Sequence, residues 1–194
     1  MMEPVTESQV KPVPPVSGGS GFLNVQKIIG SLGIQPGMSV SDFCSGSGYF
    51  SVPLAQQVGP EGRVSALDIL ESALEIVRTK AKAMGLANLE AIRGNLEVSG
   101  GSTLGDNSQD IVFMANILFQ SPKSQDIIRE AKRVLTSGGR LLIVEWRKGA
   151  GGIGLPDHMR VDEQTVKQAI VQEGLSFVTD LDAGQFHYGL MFKK

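Results

Sequence analysis

The chain lacks the cysteines that a disulfide framework, a cysteine-rich zinc site or a CxxC redox motif would require. Its 194 residues contain a single cysteine, Cys44, so no disulfide can form within the chain. A lone thiol is typical of proteins that work in a reducing compartment. The sequence therefore predicts a cytoplasmic protein without a bound metal.

Excess charge of one sign and long apolar runs are also missing. The chain has 18 Lys and Arg against 20 Asp and Glu, a formal net charge of -2, and its basic residues are scattered. This distribution offers no footprint for a phosphate backbone or an anionic membrane. No apolar run approaches the roughly 20 residues that cross a bilayer, and no signal peptide is visible. We expect a small-molecule substrate, no nucleic-acid partner and no membrane insertion, and the oligomeric state stays open.

What is present is an ordinary globular composition, with 41% hydrophobic and 20% charged residues. A chain of this length supports one hydrophobic core rather than two. The beginning of the chain is rich in proline and glycine, which oppose helix hydrogen bonding and a buried face. The sequence predicts a flexible tail over residues 1–20 and one domain over residues 21–194.

Strand-like and helix-like segments alternate through this domain, a pattern typical of a parallel sheet covered by helices on both faces. Apolar residues at helical spacing from Phe22 to Leu32 predict a first helix that Gly33 can cap. One predicted helix buries Ala73, Leu74, Val77, Ala81 and Met84. The remaining predictions are strands at 38–43, 62–68, 89–93, 110–115, 139–146, 175–181 and 185–192, and helices at 48–58, 71–85, 123–135 and 163–173. Residues 182–184 are short enough for a hairpin turn between the last two strands.

A glycine-rich turn directly after the first predicted strand carries the clearest functional signal. It reads Asp42-Phe43-Cys44-Ser45-Gly46-Ser47-Gly48. Small residues let a ligand approach the backbone, and the amides that open the following helix suit an anionic group. Asp68 ends the next predicted strand, where Rossmann folds present an acid to ribose hydroxyls. The two features together predict a nucleoside ligand.

The identity of that nucleoside follows from the turn itself. The dinucleotide fingerprint needs a third glycine beside the pyrophosphate, but here Gly46 and Gly48 lead to Ser51. The carboxylate of Asp42 would repel a pyrophosphate and would attract the ammonium of an amino-acid-like ligand. S-adenosylmethionine carries such an ammonium and is the favoured ligand.

With these motifs, the chain resembles the class I S-adenosylmethionine-dependent methyltransferases, in particular small methyltransferase-domain proteins related to the ubiquinone and menaquinone methylase group. The resemblance covers residues 22–192. Its motifs are Pro36-Gly37-Met38, the turn from Asp42 to Gly48, Asp68-Ile69, Gly94-Asn95-Leu96, Asp110 to Asn116 and Ala131 to Leu141. Two positions depart from the family pattern: Cys44 stands where the first glycine is usual, and Asn95 where an aspartate is frequent.

The resemblance implies an α/β Rossmann-like three-layer sandwich with a seven-stranded sheet in the order 3-2-1-4-5-7-6 and an antiparallel last strand. It also implies a set of cofactor contacts: Asp42, Phe43, Cys44, Gly46, Gly48, Asp68, Ile69, Asn95, Leu96 and Asn116. The implied activity is methyl transfer from S-adenosylmethionine to a small molecule. No side chain is singled out as a catalytic acid or base.

Four further residues are weak substrate candidates, each with an alternative. Phe119 follows the fourth strand. The alternative for this single aromatic residue in an apolar run is an ordinary place in the core. Arg147 lies at the rim where ligands bind open sheets, but strand ends are polar in any case. His158 and Arg160 follow the fifth strand, in a connection that borders the substrate in this family, and both are equally typical of a solvated loop.

Two other functions remain open on sequence grounds. An NAD-dependent oxidoreductase would share the fold, although the missing third glycine argues against it. A binding module could keep the cofactor fold without turnover and use the surface around Ile117 to Phe119 for a partner.

Overall fold

The structure, a computed structural model, describes residues 23–151 and 154–194. Seven strands form one sheet in the order β3-β2-β1-β4-β5-β7-β6. The strands are β1 (Ser39–Phe43), β2 (Arg63–Asp68), β3 (Leu89–Arg93), β4 (Gln109–Ala115), β5 (Leu135–Trp146), β6 (Ser176–Leu181) and β7 (His187–Lys193). Strands β1 to β5 pair in parallel, and β7 runs antiparallel to both β5 and β6. The predicted strand order and antiparallel last strand are confirmed.

Five α-helices accompany this sheet in the described residues. They are α1 (Val25–Ser31), α2 (Ser51–Val58), α3 (Glu71–Ala83), α4 (Ser124–Val134) and α5 (Glu163–Gln172), with a 3₁₀ turn at Asp157–Met159. None of them combines the length and apolar character that crossing a bilayer requires.

Successive strand residues point to opposite faces of the sheet, and in the central strands both sets are buried. Ile111 and Phe113 of β4 join an apolar cluster with α1, α2 and α3. Val112 and Met114 of the same strand join a second cluster with α4 and α5. Helices therefore cover both faces, which gives the three-layer sandwich that the alternating pattern predicted.

Most predicted boundaries agree closely with the structure, but α2 and β5 begin at other residues than predicted. Helix α2 begins at Ser51 rather than near 48, because the preceding residues still belong to the glycine-rich turn. Strand β5 begins at Leu135, earlier than predicted. The predicted tail over residues 1–20 and the predicted first helical residue, Phe22, lie outside the described residues.

One predicted core residue is wrong. Met84 is 50% exposed, whereas Leu74, Val77 and Ala81 of the same helix are buried. The helix ends at Ala83, and Gly85 adopts a positive φ of 65°. Met84 therefore lies beyond the last helical residue, so the helical spacing no longer decides where that side chain points.

Parallel strands bring their carboxyl ends to one edge of a sheet, and ligands bind at that edge in open α/β folds. Here the edge collects the turn after β1, the exit of β2, residues 94–97 after β3 and residues 116–120 after β4. These four segments contain the predicted cofactor contacts except two, since Asp42 and Phe43 are the last residues of β1.

Candidate functional site

The turn after β1 is wound by three residues with left-handed backbone conformation. Cys44, Gly46 and Gly48 have φ values of 59°, 51° and 77°. Glycine adopts such angles freely, but a residue with a Cβ atom pays about 1–2 kcal/mol. The turn is anchored by Ser45, whose amide donates to the Leu67 carbonyl at 2.9 Å and whose carbonyl accepts from the Gly48 amide at 2.9 Å. The strained cysteine therefore sits at the base of a well-anchored turn.

The two glycines serve different purposes. A Cβ atom added at Gly46 would meet no atom within 4 Å, so this position faces open space. A Cβ atom added at Gly48 would lie 3.1 Å from Cγ2 of Val77, which belongs to α3. Gly48 thus permits close packing of the turn on α3, and Gly46 leaves room for a ligand above the turn.

Asp68 connects the end of β2 to this turn. Its Oδ2 accepts a hydrogen bond from the Gly46 amide at 2.9 Å, and its Oδ1 accepts one from the Leu70 amide at 2.9 Å. Each carboxylate oxygen can accept a further hydrogen bond. Ile69, the residue between these contacts, is half-buried. The Asp68 carboxylate can therefore receive ligand hydroxyls without losing its hold on the turn.

Asp42 lies below the turn and is only 2% exposed. Its Oδ2 accepts a hydrogen bond from the Ser51 hydroxyl of α2 at 2.5 Å. Burial raises the pKa of Asp42 to about 7, and the nearby charge of Asp68 also raises it. The adjacent Phe43 is fully buried in the cluster on the opposite face of the sheet. Asp42 is thus a buried acid, and a cation placed next to it would favour its ionised form.

The environment of the Cys44 thiol does not favour its ionised, nucleophilic form. Burial raises its pKa well above the ordinary value, and the charges of surrounding carboxylates, first those of Asp68 and Asp42, raise it further. The thiol therefore stays protonated and packs against the apolar cluster that includes Phe43.

The segment after β3 is held by its own side chains. Oδ1 of Asn95 accepts a hydrogen bond from the Glu97 amide at 3.0 Å, while Leu96 is buried. Oε1 of Glu97 accepts one from the Ser121 hydroxyl at 2.6 Å. The segment after β3 is therefore joined by a direct hydrogen bond to Ser121, which immediately follows the segment after β4.

The segment after β4 leaves the strand through Asn116, which has a φ of 56°. Its amide donates to the Val144 carbonyl at 2.8 Å, and its Oδ1 is buried without a hydrogen-bond partner among the described residues. The Ser45 hydroxyl in the turn after β1 is also buried without a hydrogen-bond partner among the described residues. Buried polar atoms normally have partners, so two such atoms at one edge of the sheet fit a polar ligand there. Phe119 of the same segment is half-buried.

The sequence interpretation missed Glu145, a buried acid on β5. Its Oε1 accepts hydrogen bonds from the amides of Ile117 and Leu118 at 2.8 and 2.7 Å. The pKa of Glu145 is raised to about 8. Burial is the cause of this increase, and the two hydrogen bonds oppose it in part. The available signal was a glutamate inside the apolar run of β5, because an unpaired charge is not tolerated there.

The three polar substrate candidates occupy different environments. Arg160 is buried, and its guanidinium donates to the carbonyls of Leu155, Arg147 and Gly151 at 2.7 to 3.0 Å. Its guanidinium also lies 5.4 Å from the ring centre of Trp146. Arg147 is half-exposed and donates to the His187 carbonyl at 3.1 Å, and His158 is exposed on the 3₁₀ turn. Arg160 is thus engaged in shaping the connection after β5, whereas Arg147 and His158 reach solvent.

Comparisons with known proteins agree with this fold. Residues 34–188 match a family model described as a methyltransferase domain. A demethylmenaquinone methyltransferase from Listeria welshimeri is 37% identical over 113 residues, which are 58% of this chain and 46% of that protein. A protein of the same name from Geobacillus kaustophilus is 32% identical over 120 residues, 62% of this chain and 50% of that protein. The chain spans about half the length of these relatives.

A solved structure extends the agreement to nearly the whole fold. The crystal structure of a SAM dependent methyltransferase from Aquifex aeolicus superposes with a TM-score of 0.82 at 25% identity, over 89% of this chain and 90% of that one. The family model spans residues 34–188, and the superposition covers 89% of the chain. The chain therefore belongs to the methyltransferase-domain family, among the class I S-adenosylmethionine-dependent methyltransferases, and S-adenosylmethionine is its cofactor.

Proposed function

We propose that the chain transfers the methyl group of S-adenosylmethionine to a small-molecule acceptor and releases S-adenosylhomocysteine. One observation carries this proposal: the Asp68 carboxylate accepts a hydrogen bond from the Gly46 amide, in a turn whose outer side is open. A turn of this kind, with an acid at its side, suits an adenosyl group that must approach the backbone closely.

The residues present fit such a ligand. Asp68 has free acceptor capacity for ribose hydroxyls, and the buried Asp42 would gain a counter-charge from the ligand ammonium. Gly46 and Cys44 shape the turn, and Gly48 packs it onto α3. Further contacts are assigned to Phe43, Ile69, Asn95, Leu96 and Asn116.

Methyl transfer depends more on the relative orientation of the two reactants than on proton transfer. When bound, the sulfonium of S-adenosylmethionine supplies an activated methyl group. The segments after β1, β3 and β4 then have to orient the acceptor in line with that group and exclude water, and such orientation can contribute about 7–11 kcal/mol. A general base is needed only for an acceptor that must lose a proton. No side chain of the site is assigned that role.

The acceptor is proposed only as a class, a small molecule. Because the two relatives described above are demethylmenaquinone methyltransferases, demethylmenaquinone is the first compound to test. The half-buried Phe119 and the exposed Arg147 and His158 are the proposed acceptor contacts, and Arg160 shapes the connection after β5. We also propose that the chain works in the cytoplasm, because its one cysteine is a free thiol.

Two measurements test the proposal. A ligand at a hundred times its dissociation constant stabilises a protein by about 2.7 kcal/mol, so a thermal shift with S-adenosylhomocysteine and none with NAD is expected. Transfer of a labelled methyl group from S-adenosylmethionine to demethylmenaquinone, or to another small molecule of a cell extract, is expected next. Stabilisation by NAD alone would reject the cofactor, and cofactor binding without any labelled product would favour a non-catalytic binding module.

A further inference from the structure

Glu145 stands at the junction between the sheet core and the segment after β4. It is 1% exposed, and it lies next to Val144, which pairs with Ala115 at the end of β4. A carboxylate at such a depth is unfavourable unless other groups bond to it. Its presence in an apolar strand therefore points to a specific partner.

That partner is the backbone of the segment after β4. The amides of Ile117 and Leu118 both donate to one oxygen of Glu145, at 2.8 and 2.7 Å. These residues open a tight turn in which the Gln120 amide donates to the Ile117 carbonyl at 3.0 Å. Glu145 thus bonds the first amides of the turn, as an acidic side chain does at the start of a helix. The turn carries Asn116 at its entrance and Phe119 in its middle.

We propose that Glu145 is a positioning residue, whose carboxylate holds residues 116–120 at the rim of the cofactor site and thereby places Asn116 against the cofactor and Phe119 against the acceptor. This inference rests on the proposed function. The ionisable groups that face Glu145 are the phenol of Tyr188, its register partner on β7, and the Cys44 thiol. Neither carries a positive charge, so the two amides are the hydrogen-bond partners that the carboxyl group of Glu145 finds in the core.

The role depends on the reach of the side chain, which two conservative substitutions test. Glu145→Asp keeps the carboxyl group but withdraws its oxygens by one methylene group from the two amides. Glu145→Gln keeps the reach, and its amide oxygen can still accept both hydrogen bonds. We expect the Asp variant to release the segment and the Gln variant to retain it.

The experiment combines amide hydrogen exchange with calorimetric binding of S-adenosylhomocysteine on the full chain. In Glu145→Asp, exchange over 116–120 should rise and the affinity should fall about tenfold, the effect of one lost hydrogen bond. In Glu145→Gln, both should stay near wild type. Glu130→Asp is the matched control for exchange, because Glu130 is equally buried and accepts from the amides of Gly100 and Ser102 in the loop between β3 and β4. It should raise exchange over 100–102 and leave exchange over 116–120 unchanged.

The outcomes distinguish this inference from the proposed function. If the wild-type chain does not bind S-adenosylhomocysteine, the proposed function fails, while the exchange pattern still tests how Glu145 holds the segment. If the Asp variant exchanges and binds like wild type, or if only the Gln variant releases the segment, the positioning role is overturned. Faster exchange in the Asp variant with unchanged affinity also overturns it, because Glu145 would then be structural alone.

Discussion

The Asp68 carboxylate and the Gly46 amide are joined by a hydrogen bond of 2.9 Å that links the end of β2 to the turn after β1. The same carboxylate accepts from the Leu70 amide through its other oxygen. One side chain therefore sets the path of two neighbouring segments at the carboxyl edge of the sheet. Both segments are therefore already positioned before a ligand binds to Asp68.

Asp68→Ala is expected to weaken binding of S-adenosylhomocysteine about 10- to 100-fold, because a hydrogen bond to a charged group contributes about 1.5–3 kcal/mol. Isothermal calorimetry measures the change. Asp110→Ala is the matched control, since Asp110 also bonds a backbone amide, that of Ser39, but at the opposite end of β1. Equal losses in the two variants would mean that Asp68 acts only through stability.

The affinity for S-adenosylhomocysteine is expected to rise as the pH increases through about 7, the pKa to which burial raises Asp42. Below that pH the free protein must lose a proton from Asp42 before the carboxylate can face the ligand ammonium, so protonation competes with binding. Calorimetry across this range should show the rise. In Asp42→Asn it should disappear.

The control ligand for this pH effect is 5′-methylthioadenosine, which has no amino-acid portion. Its affinity should not change as Asp42 ionises. A pH dependence of equal size for both ligands would show that Asp42 does not recognise the ammonium.

Cys44→Gly is expected to be more stable than Cys44→Ala by about 1 kcal/mol, because alanine keeps the left-handed strain at a φ of 59° and glycine does not. Urea denaturation measures this difference. The same pair of substitutions at Ser45, which does not adopt a positive φ, should give the opposite order. If alanine is preferred at both positions, Cys44 carries no backbone strain.

Arg160→Lys is expected to lower the free energy of unfolding by about 2–3 kcal/mol, nearly as much as Arg160→Ala, because an ammonium cannot reproduce the planar fork that bonds three carbonyls. Thermal denaturation measures the loss. Arg147→Lys, at a half-exposed position, should change stability by no more than about 0.5 kcal/mol. Full rescue by lysine at 160 would contradict a structural role for the guanidinium.

Much of the fold was determined by the sequence alone. The apolar spacing of Leu74, Val77 and Ala81 predicted a buried helix face, and the sheet order followed from the family resemblance. The turn from Asp42 to Gly48 and the acid at Asp68 were also visible in the sequence. Such features are readable because backbone conformation and periodic burial depend on neighbouring residues.

The tertiary structure alone decided which polar groups meet. Glu145 and the amide of Ile117 are 28 positions apart, and Asp68 and the amide of Gly46 are 22 apart. The burial of Arg160 against three carbonyls was likewise invisible, since its sequence context equally suits a solvated loop. A hydrogen bond needs its two atoms about 3 Å apart, and for distant residues only the packing of strands and helices sets that distance.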